Sequence, residues 1–145
     1  MEPNFSNGEY LLTDKVSYKI TSPKRGEVIV FSAPPDRRED FIKRIIGLPG
    51  ENIAIKNGTV FINQKELSET YLSEEILTST GNILEGGELK LAEGEYFVLG
   101  DNRDHSSDSR VWGPIKKEDI VGRTWLVYWP PPKIRILSSQ SFAGF

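Results

Sequence analysis

Apolar positions along this chain come in short runs. Glu27-Val28-Ile29-Val30-Phe31, Ile53-Ala54-Ile55, Val60-Phe61-Ile62 and Tyr96-Phe97-Val98-Leu99 are brief and rich in β-branched or aromatic residues, the composition of strands. Trp125-Leu126-Val127-Tyr128-Trp129 reads as a last strand, stopped by Pro130-Pro131-Pro132. Asn57-Gly58 falls between two of these runs and predicts a tight hairpin, because both turn positions need φ > 0. Gly26, Gly50, Gly86-Gly87 and Gly94 punctuate the remainder. Asp40–Ile46 alternates, so Phe41, Lys43 and Ile45 share one face of a strand. No window of about 11–18 residues holds a clean helical period. The polar stretch Leu67–Gly87 predicts a long excursion with at most one helical turn, and Ile115–Asp119 another short turn. The pattern therefore predicts a mostly β domain over residues 1–132 and a loosely ordered tail over 133–145.

Composition narrows the possibilities. A chain of 145 residues fits one domain with a real core. Its net charge of −3, with both signs mixed, gives no electrostatic reason to expect a nucleic acid partner. It has no cysteine, which excludes disulfides and thiolate metal sites, and its single histidine, His105, excludes a histidine-rich one. No stretch approaches the roughly 18 apolar residues of a transmembrane helix. Met1-Glu2-Pro3-Asn4-Phe5 has neither the basic region nor the apolar run of a secretory signal.

Gly100–Arg110 stands apart. It packs three aspartates, two arginines and three serines between the Tyr96–Leu99 run and Trp112-Gly113-Pro114. That is too polar for core and too mixed in charge for a linker, so it reads as a polar network held against a site. Asp108 and Arg110, two apart, are placed to form an ion pair that fixes the loop. Ser106 could exchange a hydrogen bond with a nearby amine, although a serine in a polar loop is ordinarily a solvated one. His105 reads as a solvated loop residue, with no aspartate-oriented Ser-His arrangement in view. Lys43 has two open readings. Flanked on its own face by Phe41 and Ile45, it could be desolvated and neutral enough to act as a general base. It could equally be an edge lysine with its ammonium in water.

Four segments, in order, resemble motifs of the bacterial type I signal peptidases, membrane-anchored serine endopeptidases with a Ser/Lys dyad. Met1–Phe5 followed by Gly8 resembles the end of the nucleophile motif, Ser-Met-x-Pro-Thr-Leu/Phe. Arg25–Phe31 resembles the next strand motif, and Lys43-Arg44-Ile45-Ile46-Gly47-Leu48-Pro49-Gly50-Glu51 the lysine motif. Gly100–Arg110 with Gly113 matches Gly-Asp-Asn-Arg-x-x-Ser-x-Asp-Ser-Arg. The resemblance spans about residues 1–129.

This resemblance implies antiparallel coiled sheets forming a signal-peptidase-like barrel domain with one or two short helical turns. It implies removal of signal peptides from exported preproteins after Ala-x-Ala, at the outer side of the plasma membrane, without metal or organic cofactor. Lys43 would be the general base and Ser106 would orient its amine. Asp108 and Arg110 would form a supporting salt bridge, with Asp101 also meeting Arg110. Met1, Phe5, Phe41 and Ile42 would line the pocket for the alanine before the scissile bond. The substrate would lie extended beside Asp40–Lys43. The family also implies a membrane-facing apolar surface. Trp125, Tyr128 and Trp129 could contribute to it, but are expected rather in the core of the last strand.

Two departures accompany the match. Asn4 stands where the family has threonine. The family's nucleophilic serine would immediately precede Met1, and Ser6 is several residues out of register to replace it. The segment before that serine, which supplies part of the substrate-binding strand and an oxyanion-hole side chain, would also be missing, as would the membrane anchor. The 145 residues on their own are therefore expected to be inactive. A self-cleaving repressor-type protease shares the dyad but lacks the Gly100–Arg110 pattern. A non-catalytic peptide-binding or assembly-assisting homologue would have no chemical need for a desolvated lysine.

Overall fold

The computed structural model describes residues 1–2, 4–34, 38–73, 75–84, 87–137, 140, 142 and 145. Pro3 of the first motif and Gly86 of one turn signal lie outside the described residues. Among the described residues eleven strands form, in chain order: β1 (Tyr10–Asp14), β2 (Val28–Ser32), β3 (Asp40–Gly47), β4 (Asn52–Lys56), β5 (Thr59–Ile62), β6 (Lys65–Glu66), β7 (Glu88–Lys90), β8 (Glu95–Leu99), β9 (Ile115–Lys116), β10 (Ile120–Trp129) and β11 (Arg135–Ile136). They make two antiparallel sheets. The larger runs β1-β10-β2-β3-β8-β9, with β11 added on β10; the smaller runs β6-β5-β4-β7. The mostly β class expected from the sequence is what forms.

Each apolar run becomes a strand because its alternate residues have a buried face to occupy. The β4–β5 hairpin turns on Asn57 and Gly58, both at positive φ (51° and 82°). A second two-residue turn, Asn63-Gln64 at φ 49° and 68°, joins β5 to β6 without glycine, and so left no sequence signal. The helical content is one four-residue helix, α1 (Ser109–Trp112), and four 3₁₀ turns of three residues. One of these, Lys117–Asp119, fulfils the short turn expected near Ile115. The Leu67–Gly87 excursion holds no helix among its described residues. It is tied down instead by Leu67, Thr78 and Leu84, all buried.

Three apolar clusters result. One lies between the two sheets and includes Ile46, Ile53, Val60, Ile62, Leu91 and Phe97. The second, around Ile29, Phe31, Ile45 and Val98, takes Phe41 at its edge. The third joins Phe5, Val28 and Val127 to Met1 and Ile42. Consecutive residues of β3 thus serve different clusters, as the alternation of a strand requires.

Two expectations are corrected. The segment after Pro132 is tied at two points: β11 pairs with Leu126 and Val127, and Phe142 is buried against the Tyr71 ring, 6.2 Å between centroids. The aromatic residues of β10 are not core. Tyr128 and Trp129 are 45 % and 50 % exposed and Trp125 is half-buried, because the covered face of this strand is filled by Gly122, Thr124 and Val127.

Candidate active site

Lys43 and Arg44 are neighbours on β3 with opposite assignments. Ladder pairing sets Lys43 opposite Ile29 and Arg44 opposite Val28 on β2. On the other side β8 begins its pairing only at Arg44, against Leu99. Asp40–Lys43 therefore has a strand on one edge and, among the described residues, none on the other.

The Lys43 side chain runs into the molecule on the Phe41–Ile45 face. Its Nζ lies 5.4 Å from the Phe41 ring centroid, a cation–π distance. Burial is the main cause pulling its pKa below the ordinary lysine value; Asp108 and Asp101 oppose the shift, and Arg110 adds to it. Lys43 is half-buried, with its amine partly withdrawn from water.

Gly100 follows β8 and fits between this lysine and Ser106. A Cβ on Gly100 would stand 2.1 Å from Ser106 Oγ, 2.6 Å from Ser106 Cβ and 3.6 Å from Lys43 Cδ. Ser106 is thereby held against the Lys43 stem, with only a glycine's width between them. Its Oγ is buried and, among the described residues, in no well-formed hydrogen bond, though it lies close enough to the Asp108 carboxylate to help hold that carboxyl low.

The loop wall is built on Asp108 and Arg110. Asp108 caps α1, accepting from Arg110 N, and takes Arg110 Nε at 2.8 Å, Arg110 Nη2 at 2.9 Å and Gly100 N at 3.1 Å. Burial alone would raise this carboxyl, but the Arg110 guanidinium holds it below the usual carboxylate value. Arg110 Nη2 also donates to the Arg103 carbonyl at 2.7 Å. The ion pair read from the two-residue spacing is present.

Asp101 differs from expectation. It meets Arg44, not Arg110: Arg44 Nε reaches Oδ1 at 2.9 Å and Nη2 reaches Oδ2 at 2.7 Å, both residues being buried. Arg110 is engaged by Asp108, the Arg103 carbonyl and Ser79 Oγ, whereas Arg44 lies on the other face of β3, its Nη1 also donating to the Gly26 carbonyl. Arg103 is a further residue missed in the sequence. It bridges Gly100 O, Thr78 Oγ1, the Tyr71 hydroxyl and both Glu69 oxygens. Burial of such a guanidinium demands this many acceptors, but no local spacing announces partners about 30 residues away.

Met1 sits beside this wall. Its Sδ accepts from Asp101 N at 3.4 Å. Its α-amine is held below the ordinary terminal value by partial burial and by the positive charge of Lys43. Met1, Phe5 and Ile42 line a cavity of about 400 Å³ together with Leu11, Asn102 and His105. Phe41 and Asp40 are not part of that lining. Phe41 points to the opposite face, against Phe31 at 6.4 Å between centroids, and Asp40 is exposed at the start of β3. His105 is exposed at the cavity edge. Among the described residues, no three His, Cys, Asp or Glu side chains converge as a metal site requires. Also among them, no helix is long and apolar enough to cross a membrane.

Comparison with known proteins gives a consistent result. The family model described as "Signal peptidase, peptidase S26" matches residues 1–129. The chain is 37% identical over 147 residues to Probable signal peptidase I-2 of Synechocystis sp., covering 97% of this chain and 64% of that protein. It is 34% identical over 142 residues to Signal peptidase IB of Staphylococcus aureus, covering 90% and 73% respectively. A crystal structure of a signal peptidase I from Enterococcus faecalis V583 matches with a TM-score of 0.61 and 36% identity, over 72% of this chain and 97% of that one. The chain thus spans just under two thirds of the Synechocystis relative's length.

Proposed function

The chain belongs to the peptidase S26 family of signal peptidases, and from that premise we propose that it is the catalytic portion of a Ser/Lys endopeptidase that removes signal peptides after Ala-x-Ala. The observation that carries the reading is the placement of Met1 beside a desolvated lysine. Met1 is anchored to Asp101, Asp101 adjoins Gly100, and Gly100 packs on the Lys43 stem. A serine joined to the Met1 nitrogen would present its hydroxyl in that same space.

In the proposed reaction neutral Lys43 Nζ takes the serine proton as Oγ attacks the carbonyl carbon of the scissile amide. The protonated lysine then returns the proton to the leaving amine nitrogen as the C–N bond breaks. This leaves the signal peptide as an acyl ester on the serine. A water, deprotonated by the same lysine, attacks the ester and frees the serine hydroxyl. Burial of Lys43 lowers its pKa and so favours the neutral base, and Ser106 fixes the direction of its amine. Asp101, Asp108 and Arg110 hold the loop that carries Ser106. The substrate adds as a strand to the open edge of Asp40–Lys43. Met1, Phe5 and Ile42 floor a shallow apolar pocket for the alanine before the cut, with Phe41 supporting from behind.

The same reading locates the enzyme at the outer face of the plasma membrane. Tyr10, Leu12, Tyr128, Trp129, Ile134 and Ile136 are exposed apolar side chains of β1, β10, β11 and the turn between the last two, a composition suited to the membrane interface. On this proposal a polypeptide of these 145 residues alone does not cleave. A chain extended by serine before Met1, and by the segment upstream of it, does. The test is cleavage of an Ala-x-Ala presequence by the extended chain and by its Lys43→Ala variant. Loss of cleavage in the variant is expected; full activity without Lys43 sinks the proposal.

A further inference from the structure

Asn4 is where the chain departs from its family's threonine, and its side chain does more than close a turn. The Asn4 amide nitrogen donates to Asp101 Oδ2 at 2.9 Å and to the Tyr71 carbonyl at 3.3 Å. The Asn4 carbonyl accepts from Arg135 Nη2 at 2.5 Å, and Arg135 is paired with Glu9. Phe5 N donates to the Met1 carbonyl at 3.0 Å, so Met1–Phe5 is a closed turn. Asp101, the acceptor of Asn4, is the same fully buried carboxylate that grips Arg44, the residue next to Lys43.

We propose that Asn4 is a positioning residue, clamping the Met1–Phe5 turn to the Asp101–Arg44 pair and so setting the residue before Met1 against Lys43. This rests on the Ser/Lys reading above. A side-chain amide supplies two N–H groups on one nitrogen, whereas a threonine hydroxyl supplies one O–H. Only the amide can therefore donate to Asp101 and the Tyr71 carbonyl at once. The link from turn to base is short: Met1, Asn4, Asp101, Arg44, Lys43. Every non-covalent joint in it is a hydrogen bond within 3 Å or the closed Met1–Phe5 turn. Without the Asn4 side chain the turn keeps its Met1–Phe5 hydrogen bond and the Arg135 contact to the Asn4 carbonyl, but toward the Asp101–Arg44 pair it keeps only the weak Met1 Sδ contact to Asp101 N.

Two measurements test this. In the serine-extended chain, Asn4→Ala is expected to lower kcat by about 10–100-fold, the cost of a misplacement near 1 Å. KM should hardly move, since Asn4 lines no part of the cavity. Asn4→Thr, which keeps one donor toward Asp101, should recover most of kcat. In the 145-residue polypeptide the readout is the titration of the Met1 α-amine, followed by NMR. Asn4→Ala should move it up toward an ordinary terminal amine as the turn leaves Lys43, with Asn4→Thr in between. An amine titration unmoved in both variants overturns the proposal, as does a fall in kcat that merely tracks loss of folded protein and is not recovered by threonine. If the extended parent does not cleave, the Ser/Lys reading fails, and the amine titration still decides the role of Asn4.

Discussion

Replacing Gly100 with alanine tests the centre of the site with a single methyl group. The added Cβ would meet Ser106 Oγ at 2.1 Å and Ser106 Cβ at 2.6 Å, while Lys43 Cδ at 3.6 Å is in ordinary contact. Ser106 must retreat by roughly 1.3 Å to reach a 3.4 Å contact, and Lys43 need not move. Overpacking of this kind costs about 1–3 kcal/mol, which for a domain of this length lowers the melting temperature by about 4–12 °C. The serine-extended enzyme should lose about 10–100-fold in kcat/KM, since the hydroxyl that orients the lysine is pushed off its position. The double variant Gly100→Ala/Ser106→Gly removes both obstructing atoms. It should regain most of the stability lost in the single alanine variant without regaining activity. Thermal melts of the four chains of this cycle, with turnover of an Ala-x-Ala presequence, give the coupling directly. Additive stabilities, or an alanine variant with unchanged melting and turnover, refute the packing argument.

Two further outcomes are expected. Lys43→Met should abolish cleavage yet raise stability, because a desolvated ammonium gives way to an apolar chain of similar length. The folded pKa of Lys43 lies below its unfolded value, so the native state is penalised while both are charged. The gain should be complete at pH below the folded value and fade as pH rises from there toward the unfolded value of about 10.4; melting curves across pH check it. Asp108→Asn should cost about 3 kcal/mol, as expected when a buried guanidinium loses its carboxylate. Because the folded pKa of Asp108 is depressed, its contribution is complete above about pH 4 and lost as pH falls through the folded value. Urea melts of wild type and variant should therefore converge in acid. Loss of activity with an unchanged melt would give Asp108 a chemical rather than a supporting role.

Features set by neighbouring residues were the ones legible in the sequence. The Asn57-Gly58 turn, the Phe41–Lys43–Ile45 face and the Asp108–Arg110 pair each depend on spacings of one to four residues, which a linear reading contains. Partners of buried charges were not legible. Asp101 and Arg44 are 57 positions apart and meet because β3 pairs with β8, and Arg103 and Glu69, 34 apart, meet where the excursion after β6 folds back on the loop after β8. A hint existed, since strand alternation puts Arg44 on the face away from Lys43, where a buried guanidinium must find a carboxylate. The exposure of Tyr128 and Trp129 was misread for a related reason. Apolar composition marks a strand but does not say which face a neighbouring sheet will cover. Phe142 went unseen because one aromatic beyond a proline stop carries no period.

Lys43 and Arg44 being consecutive on β3 makes the whole site hostage to strand registration. Sliding β3 by one position would put a permanently charged guanidinium in the place of the base with Ile45 opposite Asp101, or, in the other direction, the titratable amine opposite Asp101 with Ile42 in the place of the base. The result would be folded in outline and chemically inert. Two latches at either end guard against it. Arg44 fits Asp101 in a two-pronged grip that an ammonium cannot reproduce. At Gly47 a side chain would meet Ile53 at 2.5 Å and Leu91 at 2.8 Å, so neither Ile46 nor Leu48 can take its place. Fold fidelity and proton chemistry are thus checked by the same few contacts, so an error in the first cannot pass as a working version of the second.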